Sequence, residues 1–308
     1  MSCTLCDTDL TTPYLVARDM YTGEAYHLVR CAECGLIRTD QPPCVPTLYV
    51  YGGTADAGAR FGPAQRLLQM FRHSRVRRFT RRRPGRALDV GCGDGSFLMG
   101  LAQQGWDVYG TELSPSIAAT AKQRFGDRIH IGELEKTPHS EASFDLISFW
   151  HVLEHLDNPR KALVKARRLL RPDGTVLIAV PNTRSLQAYL FKQDWLHLDV
   201  PRHRWHFDPR TLADLAERCD FKVEQVRHFS AEYGPFGIVQ GIATKLGGGH
   251  ALFTRLLRCS PLDLVGDSSF WLHLLLVTFA ILPSVLLEAL ASMAKHGGAV
   301  VMVLKARA

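Results

Sequence analysis

The stretch LDVGCGDGSFL at residues 88–98 decides the fold of this 308-residue chain. An apolar run at 87–90 leads into three glycines at alternate positions, Gly91, Gly93 and Gly95, and a helical pattern follows them. Glycine allows a tight turn after a strand and a close approach of a ligand to the backbone, because no Cβ obstructs either. These residues therefore predict a strand, a turn and a helix, with a ligand bound at the turn.

The spacing of the turn and the acids beside it indicate which ligand it takes. A GxGxG pattern, rather than GxGxxG, argues against a dinucleotide, although a nicotinamide dehydrogenase also places glycines at such a turn. Asp89 precedes the first glycine, where negative charge favours a cationic ligand. Glu112 ends the next predicted strand, where a carboxylate can accept hydrogen bonds from two ribose hydroxyls.

Apolar runs alternate with helical segments from residue 86 onward. A helical segment at 158–170, for example, ends at the Arg-Pro-Asp-Gly sequence of residues 171–174. Such alternation is typical of βαβ units and a parallel sheet. The predicted buried strands are 87–90, 108–111, 129–131, 146–149 and 175–180.

Four motifs together resemble the class I S-adenosylmethionine-dependent methyltransferases. They are LDVGCGDGSFL, Glu112, SFDLISFWHVLEHLDNP at 143–159 and LLRPDGTVLIAVPN at 169–182. The chain looks most like the small-molecule members related to ubiquinone-biosynthesis O-methyltransferases and sugar methyltransferases, and the likeness covers residues 50–308. It implies a doubly wound, Rossmann-like α/β fold with a mostly parallel seven-stranded sheet, and S-adenosylmethionine as the cofactor.

The same resemblance implies which residues hold the cofactor. The glycine turn would lie against its methionine part, Glu112 would hold the ribose, and Leu113 would flank the adenine. Glu133 stands where relatives usually place an aspartate near the adenine amine, which is a mild departure. The expected cofactor-binding residues are Asp89, Gly91, Cys92, Gly93, Gly95, Glu112, Leu113, Glu133, Leu134, Phe149 and Trp150.

A histidine-containing segment follows the fourth predicted strand, at the carboxyl edge where such sheets bind ligands. His151 and His155 are four residues apart and share one helical face if a helix starts there. An imidazole suits a general base for methyl transfer to a hydroxyl or an acidic carbon. The same pair could ligate a divalent metal with Glu154, and a capping or packing role for either histidine stays open.

A second cluster of aromatic and basic residues lies at 195–207. Its likeness to a stretch that borders the acceptor pocket in relatives makes His203 the next candidate for acid–base work. Arg202 or Arg204 is expected to hold a phosphate or carboxylate, and stacking on nucleic acid is the alternative. The expected catalytic residues are His155, His151 and His203.

Cys3, Cys6, Cys31 and Cys34 form two Cys-x-x-Cys pairs ahead of the main motifs. Four thiolates at this spacing predict a closed, tetrahedral zinc site with a structural role, because no position is left for water. We expect a zinc-ribbon-like module at 1–48 and the methyltransferase domain at 49–308. The first ten residues lack the basic and then apolar pattern of a secretory signal, so the expected compartment is the cytoplasm.

Two segments indicate contact with anionic or apolar surfaces. Residues 72–86 hold eight arginines and no acid, within a chain of net charge +7. Such a segment can contact nucleic acid, anionic lipid or a phosphorylated substrate, and the alternative is a solvated face of a helix. Residues 270–294 are almost wholly apolar, inside an expected helical insertion at about 235–296 that precedes a final strand at 299–305. The alternatives are a buried or lid-forming helical pair broken at Pro283, peripheral attachment to a membrane surface, and a membrane span.

These features favour methyl transfer to an oxygen or carbon of a small molecule, with a sugar, glycan or lipid-linked glycan intermediate first. An RNA methyltransferase is the alternative enzyme, but residues 148–151 lack the Asn/Asp-Pro-Pro-Tyr/Phe motif of base amino-group methylation. A non-catalytic protein that binds nucleic acid through its zinc module and arginines is the alternative from another class. The expected partner is a small-molecule acceptor, phosphorylated or lipid-linked among the options, rather than nucleic acid.

Overall fold

The computed structural model describes residues 3–40, 84–230, 233–246 and 268–307, with the backbone alone at 11 and 268–278. The expected boundary at residue 48 and the arginines of the 72–86 block other than Arg86 lie outside these residues.

Strands and helices alternate through the larger part of the chain, as the apolar periodicity predicts. The strands are β1 (Leu10–Arg18), β2 (Ala25–Cys31), β3 (Ile37–Thr39), β4 (Arg86–Val90), β5 (Asp107–Glu112), β6 (Ile129–Ile131), β7 (Phe144–Trp150), β8 (Leu170–Pro181), β9 (Trp205–His206), β10 (Phe221–Arg227) and β11 (Ala299–Ala306). The α-helices are α1 (Ser96–Ala102), α2 (Pro115–Phe125), α3 (Pro159–Leu169), α4 (Leu186–Phe191), α5 (Pro209–Arg218), α6 (Gly234–Lys245) and α7 (Ser268–Met293).

Seven strands form the main sheet, in the order β10-β11-β8-β7-β4-β5-β6. The pairs β4–β5, β4–β7, β5–β6 and β7–β8 are parallel, whereas β11 runs antiparallel to β8 and β10. This confirms the doubly wound, mostly parallel α/β fold and the final strand at the chain's end. The strand order reverses between β4 and β7, and such a switch point opens a crevice for ligands at the carboxyl ends of the strands.

Local signals explain where the helices of this sheet begin. Asn158 caps α3, because its side chain accepts a hydrogen bond from the Lys161 N–H and Pro159 follows at the first helical position. Asp208 and Thr211 form a reciprocal capping box at the start of α5. The helix α3 ends at Leu169, just before the predicted stop, and the Arg-Pro-Asp-Gly sequence that follows belongs to β8.

A second, four-stranded sheet has the order β1-β2-β3-β9. Its first three strands come from the N-terminal module, but β9 comes from the 195–207 cluster, with Ile37 opposite His206 and Arg38 opposite Trp205. The side chains of Cys3 and Leu36 are buried in the same apolar cluster as Leu88 of the main sheet. The N-terminal module is therefore built into the larger part of the molecule.

The apolar C-terminal segment forms one helix, α7, which continues through Pro283. The expected break at Pro283 is therefore wrong. Glu288 anchors α7 from the inside, because its carboxylate accepts hydrogen bonds from Gln187 Nε2 (2.8 Å) and Gly298 N (2.8 Å). Across the described ranges, we find no helix with the length and apolarity that crossing a membrane requires. Large apolar side chains nevertheless remain exposed on α7, at Phe279, Leu282, Leu286, Leu290 and Met293.

Candidate active site

The glycine turn joins β4 to α1 with all three glycines at positive φ, namely 67° at Gly91, 55° at Gly93 and 78° at Gly95. A Cβ on Gly91 would stand 2.5 Å from Val152 Cγ2, so glycine is needed there for packing against the segment after β7. A Cβ on Gly93 would meet no atom within 4 Å. The turn thus presents an open backbone face, as close approach of a ligand requires.

Two buried carboxylates flank this turn. Asp89 accepts a hydrogen bond of 2.6 Å from Ser148 Oγ, and burial raises its pKa to about 7 despite that bond. The Glu112 carboxylate accepts hydrogen bonds from Gly93 N (3.2 Å) and Ser114 N (3.0 Å), and each oxygen keeps a second lone pair. Acceptors beside an open backbone face fit a ligand with cationic groups and hydroxyls, as in S-adenosylmethionine.

The other expected cofactor residues differ in their surroundings. Trp150 packs edge-on against Phe97 at 5.3 Å between ring centroids. Glu133 is exposed and pairs with Lys136 at 3.0 Å. The remaining side chains, Cys92, Leu134 and Phe149, are buried, while Leu113 is partly buried.

The segment after β7 is not the α-helix that the His151–His155 spacing suggests. His151 has a φ of 54°, a 3-10 turn spans Leu153–His155, and α3 begins only at Pro159. The two histidines therefore do not share a helical face, and that expectation is wrong. His151 instead stacks on Tyr233 with 3.9 Å between ring centroids, and its Nδ1 lies 3.3 Å from Glu154 Oε1.

Glu154 lies at the centre of a buried cluster with three histidines. It is 1% exposed, and its Oε1 lies 3.3 Å from His151 Nδ1 and 4.0 Å from His203 Nε2. Burial by itself would raise its pKa, but the imidazoles of His151, His155 and His203 prevail and lower it to about 2. Glu154 is therefore a buried negative charge that depends on its neighbours for stabilisation.

Backbone carbonyls fix the tautomers of two of these histidines. His155 Nδ1 lies 2.9 Å from the Arg202 oxygen, and His203 Nδ1 lies 2.8 Å from the His197 oxygen. Because a carbonyl only accepts, Nδ1 carries the proton in each neutral ring and Nε2 has the lone pair. Burial lowers the His203 pKa to about 4, which keeps that ring neutral.

Glu154, His155 and His203 each offer one ligand atom, all within 4.8 Å of one another. Two imidazoles and a carboxylate, with the imidazoles oriented by carbonyls, suit a divalent cation. The sequence predicts His151, His155 and Glu154 as metal ligands, whereas the structure groups His203 with His155 and Glu154. The same cluster can also accept a proton from a ligand, since ionised Glu154 stabilises a neighbouring imidazolium.

Arg202 and Arg204 do not offer the free anion site that the sequence suggests. Arg202 pairs with Asp199 (2.6 Å) and with Asp19 of the N-terminal module (3.0 Å). Arg204 pairs with Asp157 at 2.7 Å. Arg202 therefore ties the N-terminal module to the histidine loop.

The four N-terminal cysteines converge as their spacing predicts. Cys3 Sγ lies 3.5 Å from Cys34 Sγ, Cys6 Sγ lies 3.3 Å from Cys31 Sγ, and all four lie within 4.8 Å of one another. Burial alone would raise the Cys31 pKa, yet donors that include the Cys34 N–H and the Thr8 hydroxyl lower it to about 6. A readily formed thiolate among four sulfurs fits a tetrahedral zinc ion.

Comparisons with known proteins agree with this architecture. The methyltransferase domain family matches residues 64–226. A ubiquinone biosynthesis O-methyltransferase of Methylococcus capsulatus is 34% identical over 113 residues, which are 34% of this chain and 46% of that protein. One from Alkalilimnicola ehrlichii is 31% identical over 161 residues, covering 46% of this chain and 62% of that protein. The chain thus spans about half the length of the first curated relatives it matches.

Among solved structures, the [4+2]-cyclase SpnF aligns with a TM-score of 0.51 at 16% identity, covering 85% of this chain and 92% of that one. That likeness concerns the fold alone. The family match, in contrast, covers more than half of the chain and includes the glycine turn, both buried carboxylates and the histidine cluster. This protein belongs to the methyltransferase domain family.

Proposed function

We propose that this protein transfers the methyl group of S-adenosylmethionine to a hydroxyl oxygen of a small-molecule acceptor. The observation that carries the proposal is the Glu154–histidine cluster, which directly follows β7 at the carboxyl edge of the sheet. Val152, between its residues in sequence, contacts the glycine turn, so the cluster lies beside the cofactor site. The relatives named as ubiquinone biosynthesis O-methyltransferases methylate an oxygen, which agrees with an oxygen acceptor.

The residues divide the work between binding and proton transfer. When bound, S-adenosylmethionine supplies an electrophilic methyl group on a cationic sulfur. Asp89 and Glu112 provide the negative charge and the hydroxyl acceptors that would hold it. Alignment of two bound reactants is the main contribution that such a site makes to a displacement reaction.

His151 is our candidate for the base that takes the hydroxyl proton. Its Nδ1 faces the Glu154 carboxylate at 3.3 Å, and a buried carboxylate stabilises the imidazolium that forms. Its positive φ is unusual for a residue with a side chain, and such strain is often found at functional positions. Loss of the proton makes the acceptor oxygen a stronger nucleophile.

The same cluster has the composition of a cation site. Glu154, His155 and His203 would hold a divalent ion through one carboxylate oxygen and two Nε2 atoms. Such an ion would supply a Lewis acid that lowers the pKa of a coordinated hydroxyl. His155 and His203 then act as ligands, and His151 remains the proton acceptor.

For the N-terminal module, we propose a structural zinc ion held by Cys3, Cys6, Cys31 and Cys34. The close approach of all four sulfurs supports it, and their number leaves no position for a reacting group. The expected division at residue 48 stays a proposal as well, for a module that is completed by β9.

Among the acceptors expected from the sequence, we propose the lipid-linked or phosphorylated type over a free sugar. The exposed apolar face of α7, around Leu282, Leu286 and Met293, supports peripheral contact with a lipid surface. Replacing Leu286 with Ser should weaken sedimentation with phosphatidylglycerol vesicles, whereas the buried-face variant Ala291→Ser should not. Equal sedimentation of both variants and wild type would count against this attachment.

A labelling experiment tests the reaction itself. The full chain is incubated with methyl-labelled S-adenosylmethionine and a small-molecule extract, and then with total RNA in a separate reaction. We expect label in the small-molecule fraction, and His151→Ala should abolish it while leaving cofactor affinity within about twofold, since the base acts on the acceptor. Label in the RNA fraction alone would favour the RNA methyltransferase alternative.

A further inference from the structure

A cavity of about 580 Å³ lies between the N-terminal module and the chain that follows β8. One wall comes from β1 and β2, through Tyr14, Leu15 and Leu28. The opposite wall is formed by residues 183–198, and His206 of β9 is also part of the lining. None of the expected cofactor residues contributes to it, and its size suits a small molecule.

Most of the lining is apolar or aromatic, with a buried floor and an exposed mouth. Leu28, Trp195 and Leu198 are buried, whereas Tyr189 is 75% exposed at the rim. A pocket of this character takes up hydrocarbon or a ring system, because binding removes apolar surface from water on both partners. A free sugar would instead require a dense set of hydrogen-bonding groups along the walls.

The charged side chains of the cavity are all basic. Arg184 and Lys192 line it together with His296, and no aspartate or glutamate does. In the described part of the chain, no carboxylate lies within 4.0 Å of either cationic group, in contrast to the paired Arg202 and Arg204. An unpaired guanidinium and ammonium beside an apolar pocket favour an anionic group on the ligand.

The backbone conformation of Lys192 supports a role of its side chain in ligand binding. Lys192 ends α4 with a φ of 49° and a ψ of −117°, a conformation that glycine adopts at much lower cost. The strain has no compensation in the form of an ion pair among the described residues. Strained positions that keep a side chain are often those where the side chain serves a ligand.

The cavity also connects to the proposed reaction centre. The His206 ring, which lines it, lies 6.4 Å from the His203 ring, and the His203 ring lies 4.6 Å from the His155 ring. Because His203 belongs to the Glu154 cluster, His206 is the lining residue that adjoins this cluster. A ligand held in the cavity is therefore separated from the cluster by the His206 ring.

We infer that this cavity is the acceptor site, and that it takes an amphiphile with an apolar body and a phosphate or carboxylate group. The N-terminal module would then serve as one wall of the substrate pocket. This inference rests on the proposed function for the identity of the ligand as acceptor. The apolar body would lie against Leu28 and Trp195, and the anion would lie between Arg184 and Lys192.

Calorimetry on the full chain, saturated with S-adenosylhomocysteine, tests the inference with three probes below their aggregation limits: dodecyl phosphate, dodecanol and inorganic phosphate. We expect dodecyl phosphate to bind about tenfold or more tightly than dodecanol, the effect of charge-assisted hydrogen bonds, and inorganic phosphate to bind weakly. Equal affinities for dodecyl phosphate and dodecanol would overturn the anion site.

Variants assign the binding to this cavity. Arg184→Gln and Lys192→Gly should each weaken dodecyl phosphate about tenfold and leave dodecanol within about twofold, because only the charge contact is lost. Lys192→Gly also relieves the positive φ, so its melting temperature should not fall and its loss of binding cannot be attributed to misfolding. Arg168→Gln, on α3 and outside the cavity lining, is the matched control. Unchanged binding in both cavity variants would refute the assignment.

Two further arms separate the sources of failure. Vesicles of phosphatidylcholine with phosphatidate test whether the protein binds a lipid headgroup only at a membrane surface; binding to vesicles without binding to monomeric dodecyl phosphate would overturn the cavity as the site. S-adenosylhomocysteine affinity is measured first, without amphiphile. Its absence would contradict the proposed function, whereas normal cofactor affinity with no amphiphile binding would contradict this inference alone.

Discussion

The cofactor end and the acceptor end of the binding edge are built in different ways. At the cofactor end, Asp89 and Glu112 lie near the ends of the adjacent strands β4 and β5, and Gly93 lies on the turn after β4. Their contacts join residues close to the ends of neighbouring strands. At the acceptor end, Glu154, His203 and Asp19 come from three distant parts of the chain. The proposed cofactor site is thus built from residues at the ends of neighbouring strands, whereas the proposed acceptor site depends on contacts between residues that are far apart in sequence.

The largest effect should follow from Glu154→Gln, which changes the acceptor end alone. Removing the buried charge should lower turnover by roughly 10²–10⁴, the usual contribution of a positioned acid–base group. S-adenosylhomocysteine affinity, measured by calorimetry, should not change, and Glu135→Gln at the surface is the control. A parallel loss of cofactor affinity would show that the two ends are not separate.

The same variant distinguishes the base from the cation site. A cation that binds only the folded state raises its melting temperature. Added Mn²⁺ should therefore raise the melting temperature of the wild type and leave that of Glu154→Gln unchanged. If Mn²⁺ changes the melting temperature of neither protein, the cation site is excluded, and His151 with Glu154 remains as the proposed proton-accepting pair.

Glu112→Ala tests the cofactor end. Two hydrogen bonds from ribose to a buried carboxylate would be lost, so affinity for S-adenosylmethionine should fall about 100-fold or more. Glu133→Gln, whose carboxylate is exposed and paired with Lys136, should change the affinity by less than about threefold. If both variants behave alike in calorimetry, the ribose assignment of Glu112 is wrong.

Cys31→Ser reaches the acceptor end through the N-terminal module. Zinc should fall from about one per chain towards none. The melting temperature should drop by roughly 5 °C or more, since a chain of this size moves about 2–4 °C per kcal/mol. Cys219→Ser, a buried single cysteine, should retain its zinc. A Cys31→Ser protein with full zinc content would exclude the four-thiolate site.

The smallest effect concerns pH at the cofactor end. Asp89 has a pKa of about 7 in the folded chain against an ordinary value of 3.8, so in the free protein its stabilising contribution is complete below pH 4 and lost as the pH rises through 7. A cationic ligand requires the ionised form, so its affinity should weaken about tenfold from pH 8 to pH 6, with proton release on binding. Asp89→Asn should bind less tightly and without this slope; a slope that persists there would assign it to another group.

The contrast between the two ends also explains what the sequence could predict. The glycine turn, the acid at the end of β5 and the alternation of strands and helices are local patterns, and the sheet follows from them with errors of a few residues. The four cysteines could be paired from spacing alone, because thiolates at those intervals have one common use.

The acceptor end could not be derived in this way. The four-residue spacing of His151 and His155 matches the repeat of an α-helix, but the backbone of His151 has a positive φ and no α-helix begins there. Arg202 or Arg204 was expected to bind a phosphate or carboxylate, yet Arg202 forms an ion pair with Asp19 and Arg204 forms one with Asp157. Arg184 and Lys192 stand in no recognisable motif, and only the packing of β1 and β2 against their segment makes a pocket there.

The pairing of β3 with β9 has a consequence for the order in which the protein is made. Thr39 and His206, joined by a side-chain hydrogen bond of 2.9 Å, are 167 residues apart. At the usual rate of synthesis, a ribosome needs on the order of ten to thirty seconds to make that length of chain. Strands β1 to β3 therefore leave the ribosome well before β9, and until β9 is made one edge of β3 has no partner strand.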